Sequence, residues 1–330
     1  MDSEVHIQKA PLVSIIIPTR NEAKDIARTL DACLAINYEP KEIIVVDDSS
    51  DETVQIVERY ADRGVKLVHR QKNSNGCCGA RNLGMQLARG EILAILNADD
   101  VPRPEFLKSL LKHYQRGADY VIGRSVVLNQ ENPWGKLISA SGMDWSGNEQ
   151  KMEWSEGFSC RRSAAEAVGY IPGDFPVPFC RDWMFGAALS RAGFKKHVDL
   201  SIIMEHVTPA TFASFWHNQI WRGTMWAPSA LYFRHQSLFT ILFREILKAM
   251  RQFFKNILVI PKLWWAVRSS KYVSGGFRDT WALYFAGLVQ DAALTIGAFK
   301  GIANVARAEG WRRHTKRSNL ECKCSPGGKL

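Results

Sequence analysis

The sequence predicts an α/β fold, a mixed sheet flanked by helices and followed by a basic helical region. Three observations predict it. Short apolar runs alternate with amphipathic helical stretches through the first hundred residues, the pattern of β-α-β units with right-handed crossovers. Three of those runs, ending at Ile17, Val46 and Leu96, break into polar loops that carry carboxylates. Such loops converge on the carboxyl edge of the sheet, where α/β folds bind ligands. The charge is unevenly placed: residues 1–209 hold 25 Lys/Arg against 28 Asp/Glu, and residues 210–330 hold 18 against 5. A chain of 330 residues is ample for one such core plus an appendage.

Taken in order, residues 12–17 form a buried-strand run stopped by Pro18-Thr19-Arg20-Asn21-Glu22. A helix is expected over 23–34, with Ile26, Leu30, Cys33 and Leu34 on one face. Residues 42–46 are a second strand ending in Asp47-Asp48-Ser49-Ser50-Asp51, and its helix carries Val54, Val57 and Ala61. Residues 66–69 are a third strand, and 80–88 a helix entered through Asn73-Ser74-Asn75-Gly76. Residues 92–96 are a fourth strand, which ends in Asn97-Ala98-Asp99-Asp100 just before Val101-Pro102-Arg103-Pro104. Adjacent carboxylates there offer hard oxygen ligands of the kind Mg²⁺ or Mn²⁺ prefer, alongside phosphate oxygens. The same residues also suit an acidic turn with an Asp N-cap before Glu105.

Together these stretches resemble family 2 glycosyltransferases, the inverting, nucleotide-sugar-dependent enzymes of GT-A fold. The resemblance runs from Val13 through Glu22, from Glu42 through Thr53, and through Gly79-Ala80-Arg81-Asn82-Leu83-Gly84, Ala88-Arg89-Gly90-Glu91 and Asn97 to Asp100. It continues at Arg161-Arg162, Val168-Gly169-Tyr170, Arg181-Asp182-Trp183 and Arg191-Ala192-Gly193-Phe194, covering roughly residues 10–225 in order.

The resemblance implies a role for each site residue. Asp48 resembles the carboxylate that accepts a hydrogen bond from the donor's base, and Pro18, Thr19 and Arg20, with Glu22 beside them, the wall around that base. Arg20 stands where an aromatic is common, and a guanidinium also stacks on a flat ring. Asp47 is either a second contact or a structural brace. Asn97, Ala98 and Asp99 match the Asp-x-Asp motif, with Asp99 expected to reach the metal and Asp100 ranked second. Asn97 departs from the motif by one charge while keeping an oxygen acceptor. Arg81 steadies the donor phosphates or forms an ion pair at a helix start. His206 resembles a histidine that completes the metal or diphosphate site in some GT-A enzymes. Gln219-Ile220-Trp221-Arg222-Gly223 resembles the Gln-x-x-Arg-Trp motif of processive members, with Arg222 facing the diphosphate; Gly223 in place of Trp argues against a processive polymerase.

Inverting transfer needs a carboxylate base for the acceptor's proton and a cation for the leaving diphosphate. Asp182 fills the position of the family's catalytic Asp, with Arg181 in place of the usual Glu; its other reading is a cap on the helix over 183–191. Asp174 is the next candidate. A sugar-1-phosphate nucleotidyltransferase is disfavoured because residues 18–22 lack the Gly-rich phosphate loop, and a non-catalytic membrane-bound relative is the remaining alternative.

Three parts are therefore expected: residues 1–228 as the catalytic domain (nucleotide part to about residue 100, acceptor part beyond), 229–310 as membrane-associating helices, and 311–330 as a flexible tail. Arg244, Lys248, Arg251 and Lys255 form a basic stripe over residues 238–260, beside Phe239, Leu242, Phe243, Ile246, Met250 and Phe253, with Pro261 ending the helix. That pattern suits a helix lying in a membrane interface, against a packed helix with a solvated cationic face. Nucleic acid is not expected as a partner, since no recognised binding fold accompanies the charge. Residues 280–299 have the length of a span but carry Gln290 and Asp291 at the centre, which favours an interfacial or re-entrant helix. The polar start from Met1 to Ala10 and seven scattered cysteines fit a cytoplasmic-face enzyme with reduced thiols. The donor is then a UDP-, GDP- or dTDP-sugar, and the acceptor a lipid-linked or cell-surface glycan.

Overall fold

The computed structural model describes residues 10–70, 76–142, 149–172 and 182–323. They divide into two units: one built from residues up to 172 with 182–208, the other from residue 209 onward.

In the first unit, β1 (Val13–Thr19) is flanked by β2 (Lys41–Asp47) and β4 (Ile92–Ile95), all parallel, with β3 (Val65–His69) outside β2. Beyond β4 the direction reverses at β7 (Phe158–Arg161), then come β6 (Tyr120–Val127), β8 (Lys196–His206) and the short β5 (Asp100–Pro102). The sheet order is thus 3-2-1-4-7-6-8-5, a mixed sheet rather than the wholly parallel one that alternation alone implies. Helices α1 (Ile26–Leu34), α2 (Thr53–Glu58), α3 (Gly76–Leu87), α4 (Phe106–Gln115), α5 (Pro133–Gly142), α6 (Arg162–Ala167) and α7 (Trp183–Arg191) accompany it.

Successive side chains of a strand point to opposite faces, so the apolar runs feed two cores at once. Val13, Ile15 and Ile17 enter one core with Ile26 and Leu30 of α1 and Leu107 of α4. Ile16 enters the other, with Met85 of α3, Phe158 and Phe185 of α7. Several residues that carry the resemblance hold this packing. Glu42 lies 7% exposed and accepts from Ser14 Oγ (2.6 Å), the Arg89 amide (2.7 Å) and Lys66 Nζ (2.9 Å). Burial alone would raise its pKa, yet these hydrogen bonds hold it at about 2. Gly90 sits where a Cβ would lie 2.6 Å from the Ser14 amide, and Asn82 clamps Ile171 through both backbone groups (2.9 and 3.0 Å).

The first strand runs two residues past its expected stop, because Pro18 and Thr19 still pair with Val46 and Asp47. The first helix starts later than expected, at Ile26, behind a turn. Among the described residues the free thiols are Cys33, Cys77 and Cys160, while Cys78 is disulfide-bonded, so the expectation of reduced cysteines does not hold at Cys78.

The second unit is helical: α8 (Phe212–Thr224), α9 (Trp226–Pro228), α10 (Leu238–Ile257), α11 (Ile260–Ser270) and α12 (Thr280–Lys323). Helix α8 starts at a reciprocal cap between Thr211 and Ser214. It crosses α12 at Gly223, where a Cβ would lie 2.8 Å from the Gly297 Cα. The Trp of the processive motif has no room at such a crossing. Pro261 does not end the basic helix. That helix stops at Ile257, and Pro261 occupies the first turn of α11, where its missing N–H and preset φ are tolerated. Asp291, at the centre of the apolar stretch, accepts from Lys262 Nζ and Gln252 Nε2, each at 2.5 Å. Among the described residues one stretch, Gly276–Gly310, is long and apolar enough to cross a membrane.

Candidate active site

The carboxyl ends of β1, β2 and β4 bring the predicted donor residues together in the first unit. Asp47 is fully buried and braces the loop: it accepts from Thr19 Oγ1 (2.6 Å), Ser49 Oγ (2.6 Å) and the Ser49 amide (3.0 Å). Its structural reading therefore prevails. Asn21, at φ +60°, closes the same loop by donating its amide to Ser49 Oγ (2.7 Å) and accepting from the Ser50 amide (2.8 Å). Arg20 stands exposed at the end of β1.

Asp48 faces Arg70, which the sequence reading did not single out. Arg70 donates from Nε to Asp48 Oδ1 (2.7 Å), from Nη2 to Oδ2, and from Nη2 to the Gly76 carbonyl (2.8 Å). The fork thus joins the end of β3 and the start of α3 to the proposed base-binding carboxylate. Only its position one residue past the third strand hinted at this.

At the end of β4 the backbone folds back on itself. Asp100 Oδ2 accepts from the Asn97 amide (2.7 Å), and the Ala98 carbonyl accepts from Thr29 Oγ1 (2.7 Å). Asp100 is fully buried, and its Oδ1 has no hydrogen-bond partner among the described residues. Burial, Glu156 and Asp99 push its pKa well above the ordinary range. Burial likewise raises Asp99 to about 6, helped by Glu156 and opposed by His206. Glu22 rises to about 7 through burial and then the charges of Asp99, Asp25 and Asp51. His206 reaches this group because β5 pairs with β8, placing Asp100 opposite His206. Glu156 is the second residue that the sequence reading missed.

Arg81 joins this cluster to Asp182. It is 3% exposed on α3, donates from Nη2 to Asn97 Oδ1 (2.7 Å), and forms an ion pair with Asp182 through Nη1. Its guanidinium lies 5.4 Å from the centre of the Trp154 ring, which stacks on Phe158. Asp182 sits at the N-cap of α7, but its side chain caps no amide there. It keeps about a third of its surface exposed, so the carboxylate is anchored and reachable. Arg181 and Asp174 lie outside the described residues, and Arg222 lies in the second unit, on α8.

Glu22, Asp99 and Asp100 thus form a crowded acidic group whose members raise one another's pKa. Among the described residues no three His, Cys, Asp or Glu side chains converge as a finished cage.

Residues 14–169 match the family model described as Glycosyl transferase family 2. This stretch is a family 2 glycosyltransferase domain. Glycosyltransferase GlyG of Streptococcus pneumoniae is 33% identical over 116 residues, 34% of this chain and 38% of that protein. Succinoglycan biosynthesis protein ExoO of Rhizobium meliloti is 36% identical over 107 residues, 32% of this chain and 30% of its own. The chain thus spans about a third of the length of these curated relatives. The mannosyltransferase PcManGT of Pyrobaculum calidifontis, solved with GDP-Man and Mn²⁺, superposes with a TM-score of 0.53 at 18% identity, over 95% of this chain and 81% of its own. The family 2 domain therefore has the GT-A fold.

Proposed function

We propose that this chain is an inverting glycosyltransferase. It moves a sugar from a nucleotide-diphosphate sugar to a hydroxyl or phosphate acceptor, with Asp182 as general base. One observation carries the reading: Asp182 is tied through Arg81 to Asn97, beside Asp99, although it lies more than eighty residues away in sequence. A base and a donor-phosphate site in one cluster are what in-line displacement requires.

In this reading Asp48, with Pro18, Thr19, Arg20 and Glu22 around it, receives the donor's base, and Arg70 orients Asp48. Arg81 and Asn97 are assigned to the diphosphate. Asp99 would hold a Mg²⁺ or Mn²⁺ ion, with His206 and Oδ1 of Asp100 as further ligands. When bound, such an ion would supply positive charge against the leaving diphosphate. Asp182 takes the proton of the attacking hydroxyl, and Trp154 screens Arg81 from water.

The second unit is assigned to the cytoplasmic face of an anionic membrane, and the acceptor to a lipid-linked or cell-surface glycan. The names of the relatives support a place in polysaccharide synthesis. The exposed basic residues of α10 support the membrane.

The test is nucleotide release from UDP-, GDP- and dTDP-sugars with Mn²⁺, with and without membrane lipid extract. Asp182→Asn should lower turnover by roughly 10²- to 10⁴-fold with donor affinity nearly unchanged. Asp99→Ala should remove the Mn²⁺-dependent part of nucleotide affinity in calorimetry. Near-normal turnover in the first variant would move the base elsewhere; unchanged affinity in the second would exclude Asp99 as a ligand.

A further inference from the structure

We propose that the elbow between α10 and α11 is a wedge that enters the hydrocarbon layer of an anionic bilayer. This rests on the reading of the second unit as membrane-binding and adds its depth and its point of entry. Phe254, Ile257, Leu258 and Ile260 are 56, 58, 61 and 77% exposed, and Trp264 one turn later is 62% exposed. Five large apolar side chains within eleven residues form a contiguous patch of the kind that marks an interaction site.

Three backbone amides of the elbow are satisfied within the turn itself, which lowers the cost of placing it out of water. Unsatisfied amides are costly in hydrocarbon, which ordinarily excludes exposed loops from it. Here the Leu258 amide donates to the Phe254 carbonyl (3.0 Å), the Ile260 amide to the Leu258 carbonyl (2.5 Å), and the Leu263 amide to the Val259 carbonyl (2.8 Å). Pro261 has no N–H to satisfy. The turn achieves this by forcing Val259 to φ +57°, ψ −53°, a conformation that a β-branched residue adopts at a steric cost. A looser turn would relax Val259 and leave amides open.

Charge selects the lipid. At 100° per residue, Phe239, Leu242, Phe243, Ile246, Met250, Phe253 and Ile257 share one arc of α10. Arg244, Lys248, Arg251 and Lys255, all exposed, lie on a separate arc centred roughly 160° from it, the polar side of the helix. The buried Ile241 and the Gln252 that contacts Asp291 lie next to these basic residues, so the apolar arc is not the face packed within the unit. On the far side of the elbow Arg268 lies 5.5 Å from the centre of the Trp264 ring. Apolar tip, aromatic and basic rim follow the order of acyl chain, interface and anionic headgroup. A second copy of the chain would repeat the basic rim against itself.

Flotation of the full chain with vesicles tests this, using phosphatidylcholine alone and phosphatidylcholine with phosphatidylglycerol. Wild type should bind the mixed vesicles and resist removal by high salt. Leu258→Asp/Ile260→Asp should lower partitioning by about tenfold or more and make the remainder removable by salt. Ile260→Leu should behave as wild type, and matching melting curves would show that the exposed changes leave the fold intact. If wild type floats with neither vesicle, the membrane reading falls and the wedge with it. If wild type binds and the double variant binds as tightly and as salt-resistantly, the wedge alone is overturned. It is also overturned if the double variant only converts a dimer to a monomer.

Discussion

Asp182 occupies the N-cap position of α7 with no side-chain bond to an amide of that helix. A capping carboxylate accepts from the amides of its own helix; this one is held by Arg81, a hundred residues upstream. The acidic group beside it has a consequence for stability. The pKa values of Glu22 and Asp99, about 7 and about 6, lie above the ordinary carboxylate values of 4.5 and 3.8. Between those limits the folded chain retains protons that the unfolded chain has released. Stability without metal should therefore fall as pH rises from about 4 to about 7. Melting temperatures in a chelator, compared with those of Glu22→Gln, provide the measurement: the variant should gain on wild type as pH climbs through that window. A difference independent of pH would remove Glu22 from the cluster. Asp48, Asp99 and Asp182 could be singled out in the sequence because each falls on a motif of the family it resembles. Arg70 and Glu156 were not, since their roles come from where the end of β3 and the approach to β7 place them, and neither position has a periodic or motif signal.

The strands and the first helices were readable from apolar period and turn residues, but the reversal at β7 was not. A four-residue strand buried on both faces looks the same parallel or antiparallel. The elbow at Val259 was hidden for a similar reason. The apolar period continues to Pro261, and no glycine marks the turn. Close packing, by contrast, leaves a glycine signature, and Gly84 is the sharpest case in the first unit. A Cβ there would lie 2.4 Å from Ile16 Cγ2 and 3.3 Å from Val46 Cγ2, and Ile16 is fully buried with nowhere to yield. Gly84→Ala should cost about 1–3 kcal/mol despite the better helix propensity of alanine. Denaturant unfolding would measure it; a neutral or stabilised variant would mean that α3 and β1 sit farther apart than described.

At the scale of the molecule, a near-neutral α/β unit is followed in sequence by a strongly basic helical one. Reversing Arg244, Lys248, Arg251 and Lys255 to Glu removes four headgroup attractions of about 1 kcal/mol each at low salt. The variant should leave anionic vesicles while nucleotide binding by the first unit persists, and equal flotation of variant and wild type would return α10 to the role of a packed helix with a solvated face. The second unit also carries Asp291, whose partners come from two other helices: Lys262 on α11 and Gln252 on α10. The acid and the amine are only 18 and 11% exposed, so neither is readily satisfied by water if the helices part. The three helices therefore share one opening event. Amide hydrogens around residues 252, 262 and 291 should exchange at a common rate, set by the separation of the whole trio, and Asp291→Ala should quicken all three segments together. Acceleration confined to α12 would show that each helix opens by itself.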